Sequence, residues 1–134
     1  MILLDTHVFV RYALGSKQLG KRAQVTIERA LGRDELYLSA LSFWEIAMLV
    51  AKGRLEIETT VPAFRVAALR QGILELPVDG EIAIAAGELP PAHGDPADRL
   101  LVASAMTRGL TLVTADEALL RWRMQGYRAQ DATT

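Results

Sequence analysis

Apolar residues along this chain follow two alternating rhythms. Short, largely apolar runs occur at Ile2–Leu4, Leu36–Ser39, 73–76 and 110–113. Each has the length and character of a strand buried on both faces. Between them, apolar positions recur every three or four residues, the period of a helix. Val8, Phe9, Tyr12 and Ala13 predict a first helix stopped near Gly15, and Ala23, Ile27, Ala30 and Leu31 a second over 19–31. A strongly apolar helix is expected over 41–52, closed by Gly53, and another over 62–71, opened by Pro62 and closed by Gly72. Residues 81–88 form a short helix before Pro90-Pro91, and residues 117–124 a last one, with a short edge strand at 127–129 and a fraying tail.

The clearest helix start is Asp95-Pro96-Ala97-Asp98. Asp95 suits the N-cap, Pro96 the first helical position and Asp98 the first turn, where an acid complements the helix dipole. Asp98 shares its face with Leu101, Val102 and Ala105, and no cation lies at i+3 or i+4 from it. Arg99 lies at i+4 from Asp95, in the favourable order for a helix ion pair.

Strands alternating with helices, with continuously apolar strands, predict an α/β fold: a parallel sheet covered on both faces by right-handed helical crossovers. Function in such sheets sits at the carboxyl ends of the strands, near a switch in strand order.

Length and composition narrow this further. A chain of 134 residues suits one compact domain over 1–134, and 51% hydrophobic residues exclude disorder. The longest purely apolar run, 46–51, is far short of a membrane span, and Met1 is followed by no basic leader, so a cytoplasmic protein is expected. With no cysteine there is neither a disulfide framework nor a thiolate metal site. Fifteen basic against 16 acidic residues argue against nucleic-acid binding by bulk charge. Twelve of the cations are arginines, which are scattered and suited to bidentate phosphate or carboxylate contacts.

The acids carry the chemistry. Asp5 ends the first strand, Asp116 follows the fourth, Asp98 opens the helix leading into the fourth, and Glu45 lies in the helix after the second. All four fall on one rim of the sheet. Singly, Asp5 and Asp116 read equally well as N-caps and Asp98 as a first-turn acid. Glu45 is harder to explain structurally, because Leu41, Met48 and Leu49 flank it on its face and an unpaired buried carboxylate costs several kcal/mol. Four acids together repel and take up protons unless a cation joins them, and all-oxygen sites favour Mg²⁺ or Mn²⁺. Asp95 reads as a cap paired with Arg99, with an outer-shell role second. His7 reads as a helix-surface residue beside the rim, His93 as loop surface, and Trp44 and Trp122 as packing residues.

Asp5-Thr6-His7 after the first strand, the 39–47 segment Ser-Ala-Leu-Ser-Phe-Trp-Glu-Ile-Ala, the 95–103 segment Asp-Pro-Ala-Asp-Arg-Leu-Leu-Val-Ala and the 111–116 segment Thr-Leu-Val-Thr-Ala-Asp together resemble a PIN-domain ribonuclease, more narrowly the VapC-type toxins of bacterial toxin–antitoxin pairs. The resemblance spans nearly the whole chain. It implies a three-layer Rossmann-like domain with strand order 3-2-1-4 and sometimes a fifth edge strand. It implies RNA cleavage dependent on Mg²⁺ or Mn²⁺, a homodimer, and inhibition by a small VapB-like antitoxin. The family's acidic positions match Asp5, Glu45, Asp98 and Asp116, and its accessory hydroxyl matches Thr114, with Thr6, Ser42 and Asp95 beside them. Ala97 departs from the aromatic of many relatives.

Two other functions stay open at this point. A phosphatase of the haloacid dehalogenase kind also has an acid after its first strand, but His7 stands where its second Asp would be, and none of Lys17, Lys21 and Lys52 lies beside the last acid. A non-catalytic PIN-like binding module would be expected to lose acids that this chain keeps.

Overall fold

The computed structural model describes residues 1–91 and 95–134. Its elements in chain order are β1 (Ile2–Leu4), α1 (Thr6–Ala13), α2 (Lys21–Gly32), β2 (Leu36–Ser39), α3 (Ala40–Ala51), α4 (Val61–Arg70), β3 (Leu74–Leu76), α5 (Gly80–Glu88), α6 (Pro96–Arg108), β4 (Thr111–Thr114), α7 (Glu117–Arg121) and β5 (Ala129–Asp131). The five strands form one parallel sheet in the order β3-β2-β1-β4-β5. This is the expected α/β architecture, with the fifth strand present.

Alternation along the strands sorts the apolar side chains between two layers. Ile2, Leu4, Leu36, Leu38 and Val113 join a core with Val8 and Phe9 of α1, Ile27 of α2, Phe43 and Ile46 of α3 and Ala68 of α4. Leu3, Leu76 and Leu112 face the other way, onto Leu101, Val102 and Ala105 of α6 and Leu119 of α7. Both faces are covered, so the strand interiors are largely apolar; on the edge strand β3, Glu75 departs from this and pairs with Arg65 of α4. Phe9 sits edge-on to Phe43 and Phe64, with ring centroids 6.3 and 5.6 Å away, which locks α1, α3 and α4 together.

Several expectations are corrected. The last helix ends at Arg121 rather than 124, because Trp122 is extended and packs edge-on against Tyr127, 6.5 Å away. Gly126, at φ 82°, then turns the chain toward β5. The edge strand begins two residues later than predicted, and the tail does not fray. Ala132 is fully buried, its carbonyl accepts from Gly20 N–H at 2.9 Å, and Thr134 O accepts from Arg22 N–H at 2.8 Å. Gly20 is required there: a Cβ would lie 2.3 Å from the main chain of Thr134. Trp44 is no packing residue, being 54% exposed. His93 lies outside the described residues. No helix among the described residues is long and apolar enough to cross a membrane.

Candidate active site

The sheet order places β1 between β2 and β4, so the chain departs from β1 in both directions. The crevice opens at the carboxyl ends of β1 and β4, where ligands bind in open α/β sheets. Asp5 follows β1 directly, and Asp116 lies two residues past β4. A cleft of about 450 Å³ opens there. Asp5, Glu45, Asp95, Asp98 and Asp116 all line it, with Thr6, His7, Arg11 and Arg54.

Asp5 is 4% exposed and is held by three neighbours. Its Oδ1 accepts from Thr6 N–H at 2.7 Å, capping α1. Its Oδ2 accepts from the Thr114 hydroxyl at 2.7 Å, and His7 Nδ1 lies 3.6 Å from the same oxygen. Thr114 Oγ1 in turn accepts from Asp116 N–H at 3.1 Å. The ends of β1 and β4 are thus joined by a chain of polar contacts through the two acids.

Asp95 and Asp116 are caps as well as cleft residues. Asp95 accepts from Ala97 N–H at 3.0 Å, and Asp116 Oδ1 from Ala118 N–H at 2.8 Å. Capping and a place in the cleft, separate alternatives in the sequence, coexist because each helix begins at the rim. The predicted Asp95–Arg99 ion pair does not form. The Arg99 guanidinium instead donates to the carbonyls of Ala86, Leu89 and Pro90 at 2.9, 2.6 and 2.9 Å. Those oxygens lie at the end of α5, where a cation is favoured by unpaired carbonyls and by the dipole.

Glu45 is half-buried on a face that lines the cleft, not the core. Its Oε1 accepts from the Thr6 hydroxyl at 2.6 Å, and Thr6 Oγ1 lies 2.8 Å from Ser42 Oγ. Thr6 has one proton. With that proton on Glu45, the fully buried Ser42 donates to Thr6. Burial holds the Glu45 carboxyl above the usual glutamate range; the Thr6 bond opposes this, and Asp5 and Asp95 add to it. Burial also raises Tyr127, with Asp5, Asp116 and Asp98 adding to the effect. The gathered charge thus acts on Glu45 of α3 and on Tyr127 in the connection to β5.

His7 is more than a surface histidine. Its Nε2 accepts from Ala115 N–H at 3.2 Å, which places the ring proton on Nδ1, facing Asp5. Sequence reasoning missed this bond, together with Arg11 and Arg54 on the cleft wall. The one available signal was spacing: Arg11 follows His7 by four residues on α1.

The donor set suits a hard divalent cation: five carboxylates face two guanidinium groups in one cleft. Among the described residues, no three acids or histidines are drawn close enough to hold an ion by themselves. An ion here would take few protein oxygens directly and fill its shell with water, as Mg²⁺ does.

The chain is a three-layer α/β domain with an acidic crevice at the carboxyl ends of its strands, and the PIN domain family matches residues 2–123. The chain belongs to the PIN-domain family. It is 34% identical to Ribonuclease VapC22 of Mycobacterium tuberculosis over 119 residues, 88% of each chain. Two solved structures share the fold. One is a toxin–antitoxin complex from Klebsiella pneumoniae (TM-score 0.62, 17% identity, 95% of each chain covered). The other is VapBC2 from Rickettsia felis bound to a DNA fragment from its promoter (TM-score 0.70, 15% identity, 98% of each covered).

Proposed function

We propose that this protein is a Mg²⁺- or Mn²⁺-dependent endoribonuclease, the toxin of a toxin–antitoxin pair. The observation that carries the reading is the gathering of Asp5, Glu45, Asp95, Asp98 and Asp116 around one cleft at the carboxyl ends of β1 and β4. Kinship with a ribonuclease over 88% of the chain supports RNA as the substrate.

Asp5 and Asp98 are assigned as the direct metal ligands, with Asp116 holding a second ion or an outer-shell water. A bound divalent ion supplies positive charge to the phosphoryl oxygens and lowers the pKa of water. Glu45 orients the attacking water and accepts its proton, a task suited to a carboxyl held above its ordinary range. Thr6 fixes the Glu45 carboxylate through its hydroxyl, and Ser42 fixes Thr6. Thr114 holds Asp5 and the main chain of Asp116 in register. With water as nucleophile, the ribose 2′-OH takes no part in bond breaking, so selectivity for RNA arises in binding.

The partner is a small antitoxin that places a basic side chain among these acids, which an arginine fork can satisfy. Structural kinship with a toxin–antitoxin complex supports a partner of this kind.

The test is cleavage of labelled RNA by purified protein with Mg²⁺, with Mn²⁺ and with chelator, for the wild type and Asp98→Asn. We expect cleavage only with metal, and a loss of at least about 10–100-fold in the variant. Equal cleavage by both proteins at saturating Mn²⁺ overturns the ligand assignment. Absence of cleavage by the wild type under all conditions overturns the enzyme and leaves a binding module.

A further inference from the structure

The two cations of the cleft are placed by matching pieces of backbone. Helix α1 ends in a left-handed turn at Gly15, φ 65°, with Ser16 N–H bonded to Arg11 O at 2.8 Å and Gly15 N–H to Tyr12 O at 3.3 Å. Helix α3 ends the same way at Gly53, φ 70°, with Arg54 N–H bonded to Leu49 O at 2.9 Å and Gly53 N–H to Val50 O at 3.1 Å. Both are Schellman closures, which need a residue that tolerates positive φ. Both helices begin at the acidic rim, from the caps Asp5 and Ser39, and run away from it. Arg11 and Arg54 therefore sit at the far ends of the two walls, with Arg11 about 7.5 Å along the axis from Thr6.

Both residues line the cleft, yet neither guanidinium has a hydrogen-bond or ion-pair partner among the described residues. Other arginines carry partners, Arg65 forking onto Glu75 at 2.7 and 2.9 Å and Arg108 binding Asp79 and Glu81, but what sets Arg11 and Arg54 apart is that they line the acidic cleft. Two unpartnered guanidiniums share the cleft with five carboxylates, and their backbones stand at the ends of α1 and α3 away from the rim. A polyanionic strand entering the cleft meets acids at one end and arginines at the other. A guanidinium matches two phosphate oxygens at once, which an ammonium does not.

We propose that Arg11 and Arg54 form a phosphate-binding subsite that holds the RNA backbone beside the scissile bond. The proposal rests on the ribonuclease reading and adds the residues that position its substrate. Arg11 near the end of α1 is also favourable to the helix dipole, a structural role that affects melting but not the salt dependence of RNA binding.

The experiment measures binding of a fluorescent single-stranded oligoribonucleotide in the Asp98→Asn background, as a function of salt. Each phosphate contact on a single strand contributes about 0.7 to the slope of log K against log salt. Arg11→Gln and Arg54→Gln should each lower that slope by about 0.7 and weaken binding about fourfold at 0.15 M salt, and the double variant by about twice that slope. Arg11→Lys should keep the slope, and Arg33→Gln, on an exposed turn away from the cleft, should match the parent. Melting of each variant shows that it is folded. An unchanged slope in both glutamine variants overturns the subsite, while cleavage by the wild type, read on a gel, shows separately whether the enzyme reading stands. An unchanged slope with weakened binding of an antitoxin peptide assigns the arginines to a carboxylate-bearing partner and also overturns it. If the wild type neither binds nor cleaves RNA, both readings fall.

Discussion

Asp5 uses both oxygens on its own protein before any ligand arrives, one as a helix cap and one for the Thr114 hydroxyl. Removing its charge therefore disturbs β1, α1 and β4 together. Glu45 has a simpler set of bonds. Glu45→Gln keeps an acceptor for Thr6 and removes the charge. Because the folded-state pKa of Glu45 is raised, folding favours its neutral form. That contribution is present below the ordinary glutamate value and is lost as pH rises through the folded value. In chelator at pH 7, Glu45→Gln should thus melt higher than the wild type, with the difference closing toward pH 4; thermal scans across that range check it, and a lower melting point at pH 7 contradicts it. Asp95→Asn should change stability by less than about 0.5 kcal/mol, since Asn is an equally good cap and no Arg99 pair is lost. A urea titration measures this. Asp95 reads first as a cap, but the other four cleft acids, Asp5, Glu45, Asp98 and Asp116, were legible in the sequence because each sits at a strand end or in an adjoining helix, where topology fixes position. Arg11, Arg54 and the His7–Ala115 bond were not, since they depend on where two helices end and on a contact spanning 108 positions.

Among the elements, α6 shows how tertiary contacts overrule a local rule. Spacing gave Asp95 and Arg99 to each other, but α5 ends beside α6 and offers three carbonyl oxygens in a cluster. Several charge-assisted bonds to carbonyls at a helix end outweigh one exposed i,i+4 pair of about 0.3–0.5 kcal/mol. Arg99 thereby ties the turn that carries Asp98 to the end of α5. Arg99→Ala should cost about 1–3 kcal/mol, seen as a lower urea midpoint, and should weaken cleavage through displacement of Asp98. A variant with an unchanged midpoint would show that these bonds do not hold the two helices together. The same priority of packing over period explains α7. Its apolar spacing runs on to residue 124, but Trp122 gains an aromatic partner in Tyr127 only by leaving the helix. The four main strands were legible because their runs are largely apolar; β3 departs from this at Glu75, which pairs with Arg65 of α4. β5, Ala129–Asp131, is an edge strand with no fully buried position, so its sequence gave only a weak signal.

At the scale of the molecule, the sheet brings Asp5 together with Asp98 and Asp116, each more than 90 positions away from it, so the site exists only in the folded chain. Its five carboxylates exceed its two guanidiniums, and folding without an ion gathers like charges that the unfolded chain keeps dispersed. A divalent ion that binds the folded site and not the unfolded chain stabilises the fold by mass action, by about 2.7 kcal/mol at one hundred times its dissociation constant. For a chain of this length, that corresponds to a rise in Tm of roughly 8–13 °C. Mg²⁺ and Mn²⁺ should each produce such a rise at constant ionic strength, and K⁺ should not, because general screening relieves repulsion without occupying a site. Asp98→Asn removes one assigned ligand and leaves the Asp5 cap and the Thr114 bond intact, so its Tm rise should shrink sharply while its folded spectrum is kept. An equal rise in both proteins would place the ion away from Asp98. A rise matched by K⁺ would show that the cleft acids need only screening, and the ligand assignment would fall with it.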